Sequence, residues 1–153
     1  MAYLNIGDQA PDFTGTDQNG NKISLKDFKG NKIILYFYPK ANTPGCTAES
    51  CNLRDNFDDL TKRGFKIIGV SADSVEKQKR FAEKYNLPFP LIADESRRIL
   101  KAYGAWGSKK LYGREYEGIL RTTYVIDENG RIEKVFKKVK TKDHASQILE
   151  AME

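Results

Sequence analysis

Six apolar residues in a row, Ile33-Ile-Leu-Tyr-Phe-Tyr38, run directly into Pro39-Lys-Ala-Asn-Thr43-Pro-Gly-Cys46-Thr-Ala-Glu-Ser-Cys51. An apolar run without polar interruption reads as a strand covered on both faces rather than one half in water. The Pro- and Gly-bearing stretch ends that strand. Thr43 then suits a helix N-cap, Pro44 the first helical position, and Gly64 the C-terminal cap, which predicts one helix from Thr43 to about Arg63. Strand, turn and helix in that order require a layered α/β arrangement with the turn at a sheet edge. The only two cysteines of the chain lie in the first turns of that helix. Thiol redox chemistry is therefore the first functional expectation.

A chain of 153 residues is expected to form a single domain, 1–153, with a full core of its own. Its first residues, Met1-Ala-Tyr-Leu-Asn-Ile-Gly-Asp8, show no basic stretch followed by an apolar one, so no secretory leader is expected. No segment approaches the roughly 20 apolar residues of a membrane span, and no membrane association is expected. A cytoplasmic location follows, and in a reducing cytosol two cysteines read as catalytic or redox-sensing, not as a structural bridge. The net charge of +5 gathers at Lys109-Lys110, Arg114 and Lys134 to Lys142. It reads as a solvated basic surface, because no nucleic-acid-binding motif accompanies it.

The remaining pattern alternates strands and helices. Asp17-Gln-Asn-Gly20 is read as an N-terminal hairpin turn, Phe65–Ser71 as a second buried strand, and Ser74–Tyr85 as a helix capped by Ser74. Leu91-Ile92 is read as a short strand and Glu95–Tyr103 as a helix. Thr122–Asp127 and Ile132–Lys137 are read as a hairpin about Glu128-Asn-Gly130, and Lys142–Met152 as a closing helix. The expected fold is thioredoxin-like α/β: a mixed central sheet flanked by helices, with an N-terminal β-hairpin. No glycine-rich phosphate loop follows any strand, which removes a nucleotide-binding fold.

At about 100° per residue, Cys46 falls on the same helix face as Leu53, Phe57 and Leu60, toward the sheet, whereas Cys51 faces outward. Cys46 also lies in the first helical turn, where unpaired N–H groups and the helix dipole favour an anion such as a thiolate. The Thr43 hydroxyl, one turn back, can cap the helix and also point at the sulfur or at an oxygen bound to it. Five residues of helix separate the two Cα atoms by about 8.6 Å, beyond disulfide reach, so pairing of these cysteines requires the helix to unwind. Taken singly, each piece has a plainer reading. A cysteine is commonly a small buried hydrophobe, Thr-Pro-Gly a turn, and Arg121 a surface arginine at a strand start. The convergence of strand, turn, cap and second thiol on Cys46 favours chemistry there. His144, the only histidine, is read as a surface residue, and Cys-x4-Cys without further ligands predicts no metal site.

Pro39-x-x-x-Thr43-x-x-Cys46 resembles the peroxiredoxin active-site motif. Tyr38-Pro-Lys, Thr43-Pro-Gly-Cys46-Thr and the cysteine five residues on are similar to the bacterioferritin-comigratory (PrxQ) subfamily. The likeness continues through Gly7-Asp-Gln-Ala-Pro-Asp-Phe13, Gly69-Val-Ser71, Tyr103-Gly-Ala-Trp-Gly107, Tyr116-Glu-Gly118 and Arg121-Thr-Thr-Tyr-Val-Ile-Asp127. The resemblance implies an atypical two-cysteine thiol peroxidase acting on hydrogen peroxide and organic hydroperoxides. It implies Cys46 as peroxidatic and Cys51 as resolving cysteine, joined in an intramolecular disulfide, with Arg121 as the active-site arginine and Pro39 and Thr43 completing the pocket. Leu120 stands where the subfamily often has histidine. A thioredoxin or glutaredoxin-type dithiol would recycle the disulfide, no cofactor is implied, and a monomer is expected. Two other readings of the thiols stay open here: a thiol–disulfide oxidoreductase acting on proteins, and a redox sensor or holdase.

Overall fold

The computed structural model describes residues 3–152. Ile33–Tyr38 alternates between the two faces of a sheet, as a doubly covered strand must. Ile34, Tyr36 and Tyr38 enter one buried cluster, Ile33, Leu35 and Phe37 the other. The strand itself is β3, Lys32–Phe37. It pairs in parallel with β4, Phe65–Ser71, and antiparallel with β8, Thr122–Ile126. Strand β5, Leu91–Ala93, extends the parallel part beyond β4. The full order is β2-β1-β5-β4-β3-β8-β9, with β1 at Thr14–Thr16, β2 at Lys22–Ser24 and β9 at Ile132–Phe136. The mixed sheet, the N-terminal hairpin and the flanking helices match the thioredoxin-like expectation.

Both expected hairpin turns use the same local chemistry. In Asp17-Gln-Asn-Gly20 and Asp127-Glu-Asn-Gly130 the leading carboxylate accepts backbone N–H groups two and four residues on, and each glycine takes a φ of 81°. A further hairpin was not expected. Strands β6, Trp106–Leu111, and β7, Arg114–Ile119, form a separate two-stranded sheet. Most of its residues are exposed on both faces, so it lacks the apolar alternation that marks a half-buried strand. Its turn is Tyr112-Gly113, with φ values of 53° and 77°, in place of the Asn-Gly that signals such turns.

Helix boundaries also differ. The expected helix from Thr43 to Arg63 is two helices, α1 at Pro44–Asp55 and α2 at Phe57–Lys62. The break falls at Asn56, whose side-chain Nδ2 donates to the Asn52 carbonyl at 2.8 Å and competes with the backbone ladder. Helix α3, Val75–Tyr85, starts as expected, with the Ser74 hydroxyl accepting the Lys77 N–H. Helix α4 is only Arg98–Ala102, because Arg97 takes a left-handed φ of 64° and Asp94 closes the turn before it. Helix α5, His144–Met152, packs on α1, and none of these helices is long and apolar enough to cross a membrane.

Gly69 in β4 lets the ring of Tyr36 and the side chain of Leu91 cross close over the strand. A Cβ there would lie 2.8 Å from Leu91 Cδ2 and 2.9 Å from Tyr36 Cζ. Gly69→Ala is expected to destabilise the protein by about 1–3 kcal/mol through overpacking, read as a lower urea midpoint at unchanged slope. A midpoint equal to wild type would show that the Tyr36 ring is free to yield.

Candidate active site

The loop between β3 and α1 is held from two sides. Tyr38, at the end of the apolar run, hydrogen-bonds Gln78 of α3, and Gln78 Nε2 donates to Ser71 Oγ at 2.9 Å. The Ser71 hydroxyl donates to Asp73 Oδ2 at 2.7 Å, and that oxygen accepts the Ala41 N–H at 2.8 Å. Asn42, at a left-handed φ of 64°, accepts the Tyr85 hydroxyl at 3.1 Å. A chain of polar groups, buried at Tyr38, Gln78 and Ser71 and half-buried at Asp73, thus runs from the sheet through α3 to the loop that carries Pro39 and Thr43. Such networks specify one arrangement because each member left unpaired would be costly.

Helix α1 begins as expected, with Thr43 in extended conformation at the N-cap and Pro44 at the first position. The expected side-chain cap is absent. Thr43 Oγ1 donates to the Lys40 carbonyl at 2.7 Å, while its backbone carbonyl accepts the Thr47 N–H at 2.8 Å. The hydroxyl's proton is therefore committed, and its lone pairs are what it offers to a neighbour. Cys46 is fully buried on the sheet side, as the helical wheel required, and Cys51 is partly exposed. Both are free thiols, and burial pushes the Cys51 thiol up. Pro39 is half-buried at the end of β3.

Arg121, in the short link between β7 and β8, reaches α1 with both ends of its fork. Nη2 donates to Cys46 Sγ at 3.1 Å and Nη1 to Glu49 Oε1 at 2.7 Å. Gly45 leaves room for it, since a Cβ there would stand 3.2 Å from Nη2. Burial pulls the guanidinium down, but Glu49 and Cys46 outweigh it and hold the cation firmly charged.

Two residues of this cluster escaped the sequence reading. Glu49 is fully buried, with one carboxylate oxygen on Arg121 and the other, Oε2, without a hydrogen-bond partner among the described residues. Its burial drives the carboxyl up to about 7 against the opposing pull of Arg121. The signal was present, because Glu49 lies about 40° from Leu53 on the helical wheel, inside the apolar face. His144 is buried, not on the surface as expected: its ring lies edge-on to Phe136 and its Nε2 stands 3.6 Å from Glu49 Oε2. Burial holds the imidazole down at about 4, so it is neutral. Its spacing of four from Ile148, on the buried stripe of α5, marks it as inward-facing. Tyr36 anchors the same helix face through Ser50 Oγ at 2.9 Å.

A sulfur at a helix start, touched by a fixed cation and backed by a buried acid, defines a thioredoxin-like enzyme of the thiol-reactive class. Residues 6–135 match the model of the AhpC/TSA family. Peroxiredoxin Bcp of Escherichia coli (strain K12) is 47% identical over 149 residues, covering 97% of this chain and 96% of that protein. Peroxiredoxin Bcp of Bacillus subtilis (strain 168) is 45% identical over 149 residues, covering 97% and 95%. Among solved structures, a Xylella fastidiosa PrxQ mutant superposes with a TM-score of 0.92 at 29% identity, covering 99% of this chain and 97% of that one. Xanthomonas campestris peroxiredoxin Q gives 0.86 at 33% identity, covering 92% and 89%. The chain belongs to the AhpC/TSA family and, within it, to the peroxiredoxins of the Bcp and PrxQ kind.

Two buried titratable groups, Glu49 and His144, act on stability in opposite directions. Glu49 is raised in the fold, so its contribution is present below about 4.5 and is lost as pH rises through about 7. His144 is lowered, so its contribution is present above 6.5 and is lost as pH falls through about 4. Glu49→Gln removes only the first. Urea unfolding across this range is expected to show the variant gaining on wild type as pH rises, and parallel curves would contradict the burial of that charge.

Proposed function

We propose that this protein is a thiol peroxidase that reduces hydrogen peroxide and organic hydroperoxides, with Cys46 as the peroxidatic and Cys51 as the resolving cysteine. The observation that carries it is the Arg121 fork, one arm on Cys46 Sγ at 3.1 Å and the other on Glu49. The bacterioferritin-comigratory protein of Xanthomonas campestris, whose structure is described for its alkyl peroxide reduction activity, supports the substrate class.

The residues divide the chemistry as follows. The Cys46 thiolate attacks one peroxide oxygen, the O–O bond breaks, and hydroxide or alkoxide leaves and takes up a proton. Negative charge moves from sulfur onto oxygen, and Arg121 offers donors to both, as its planar fork permits. Thr43, whose proton is spent on Lys40, accepts the peroxide O–H and so orients the oxygen pair. Pro39 walls the pocket without an N–H to satisfy. The full burial of Cys46 admits a small peroxide more readily than a protein thiol. The sulfenic acid then condenses with the Cys51 thiol, releasing water and forming a Cys46–Cys51 disulfide that a thioredoxin or glutaredoxin-type dithiol reduces. The same reading makes the chain a single domain, a monomer and a cytoplasmic protein, since both cysteines of the cycle lie in one helix and the cycle draws on a reducing dithiol pool.

Cys46→Ser is expected to abolish peroxide consumption coupled to thioredoxin and its reductase while leaving the melting transition in place, and substantial turnover would refute the assignment. Arg121→Lys keeps the charge but loses the fork, and single-turnover rates with peroxide are expected to fall about 100-fold. An unchanged rate in both the Lys and Ala variants would remove Arg121 from the mechanism.

Cys51→Ser is expected to consume one peroxide per chain and stall at the sulfenic acid, with a second, slower equivalent consumed only as Cys46 is over-oxidised to sulfinic acid. A mass map of the oxidised wild type should show Cys46 joined to Cys51 within one chain. Cys51 left free, with Cys46 bridged between chains, would exclude it as the resolving residue. Amide exchange should rise over residues 43–53 on oxidation, since the intact helix holds the thiols apart.

A further inference from the structure

The hydrogen bonds around His144 determine which ring nitrogen carries its proton. Gln147 Nε2 donates to the Lys138 carbonyl at 2.8 Å and Gln147 Oε1 accepts the Lys140 N–H at 3.0 Å, which orients the amide. The Oε1 so placed lies 2.9 Å from His144 Nδ1, so Nδ1 is the protonated nitrogen. Nε2 is then an acceptor, and it takes the Thr123 hydroxyl at 2.8 Å. That same Nε2 is what faces Glu49 Oε2 across 3.6 Å. Two acceptors thus confront each other in the buried interior, and the oxygen finds no donor among the described residues. An ionised carboxylate is poorly served by such a neighbour: the Nε2 lone pair is already taken by Thr123, and the negative end of the imidazole dipole that remains disfavours a charge on Oε2, whereas a neutral acid meets no such penalty.

We propose that His144 is a positioning residue of the peroxide-reducing centre: locked as an acceptor at Nε2, it favours the neutral acid form of Glu49 and thereby leaves the Arg121 charge to the Cys46 sulfur. The inference rests on the roles assigned to Cys46 and Arg121 above. With Glu49 ionised, two anions share one guanidinium. With Glu49 neutral, Nη1 keeps an ordinary hydrogen bond to Oε1 and the full cation serves the thiolate and the oxygens that develop charge.

The titratable and charged groups that face Glu49 are Tyr36 from β3, Arg121 from the link into β8, His144 from α5, and Cys46 on its own helix. Tyr36 is held well above the usual phenol range by burial, so it stays neutral. The raised acid of Glu49 and the lowered imidazole of His144 agree with a proton that resides on the carboxyl. The peroxide rate per thiolate therefore has an alkaline limb, declining as Glu49 ionises.

His144 is the only histidine, so 15N-histidine labelling reports on it alone. Near neutral pH the spectrum is expected to show the tautomer protonated at Nδ1 and bare at Nε2, and a proton found on Nε2 overturns the proposal. Single-turnover peroxide rates, divided by the thiolate fraction from ultraviolet absorbance, provide the functional arm. His144→Gln places an amide donor within reach of Oε2 and is expected to move the alkaline limb down by about one pH unit, a tenfold change in proton affinity. Gln147→Glu puts a carboxylate on the Nδ1–H, makes the ring more basic and is expected to move the limb upward. A merely structural histidine would lower rates evenly across pH and leave the limb in place, and that result refutes the proposal. Should His144→Gln fail to fold, Gln147→Glu and the tautomer measurement decide it. Normal peroxide reactivity in Cys46→Ser would instead refute the site assignment, while the tautomer would still report the His144–Glu49 geometry.

Discussion

One guanidinium ties this centre together. Arg121 enters from the sheet side and bonds two residues on successive turns of α1, so the helix cannot slide or rotate without breaking one arm. A lysine offers no such pair of directed donors, which is why the planar fork matters here beyond its charge. The cost is a carboxyl group sunk to zero exposure, with one oxygen lacking a hydrogen-bond partner among the described residues. A buried acid set against a cation contributes little net stability for that reason, and its persistence points to a requirement other than stability.

The rest of the fold converts sheet rigidity into the position of a short loop. Tyr36 and Tyr38 stack at 5.3 Å on one face of β3 and send their hydroxyls to α1 and α3. The side chains that face that way are large because the space beneath two helices must be filled, and they are phenols because those helices turn polar partners, Ser50 and Gln78, toward the sheet. Gly69 on the neighbouring strand makes the close crossing possible. The loop from Pro39 to Thr43 therefore has little of its own to hold it. Asp73 and Tyr85, delivered by the start and end of α3, supply what it lacks.

Legibility in the sequence followed burial and local chemistry. The strand at Ile33–Tyr38, the helix starts at Thr43 and Ser74 and the two Asp-x-Asn-Gly turns were readable because apolar runs and turn residues act within a few positions. The hairpin of β6 and β7 was not, since a ribbon wet on both faces leaves no periodic trace and its turn uses tyrosine at a positive φ. Cys46, Cys51, Thr43, Pro39 and Arg121 were marked by motif, and the structure brings Cys46 and Arg121 into contact. Glu49 and His144 belong to one buried cluster assembled from α1 and α5, and their pairing depends on a tertiary contact between segments far apart in the chain. Each carried a periodic hint of burial, but a charged residue on an apolar stripe is normally taken as an edge of the stripe.

Asn52 sits beside the second thiol and belongs to two helices at once. Its Oδ1 accepts the Ala145 N–H at 2.7 Å and its Nδ2 donates to the Lys142 carbonyl at 3.2 Å, so a side chain of α1 closes the start of α5. Together with Arg121 on Glu49 and Tyr36 on Ser50, it forms a set of latches along the stretch that separates the thiols. In the proposed cycle these latches act as a clock. The longer they stay shut after the first peroxide has reacted, the longer the oxidised sulfur waits for its partner and the greater the chance that a second peroxide arrives first. The strength of a few hydrogen bonds along one helix would then decide the peroxide concentration at which the enzyme stops recycling and begins to inactivate itself.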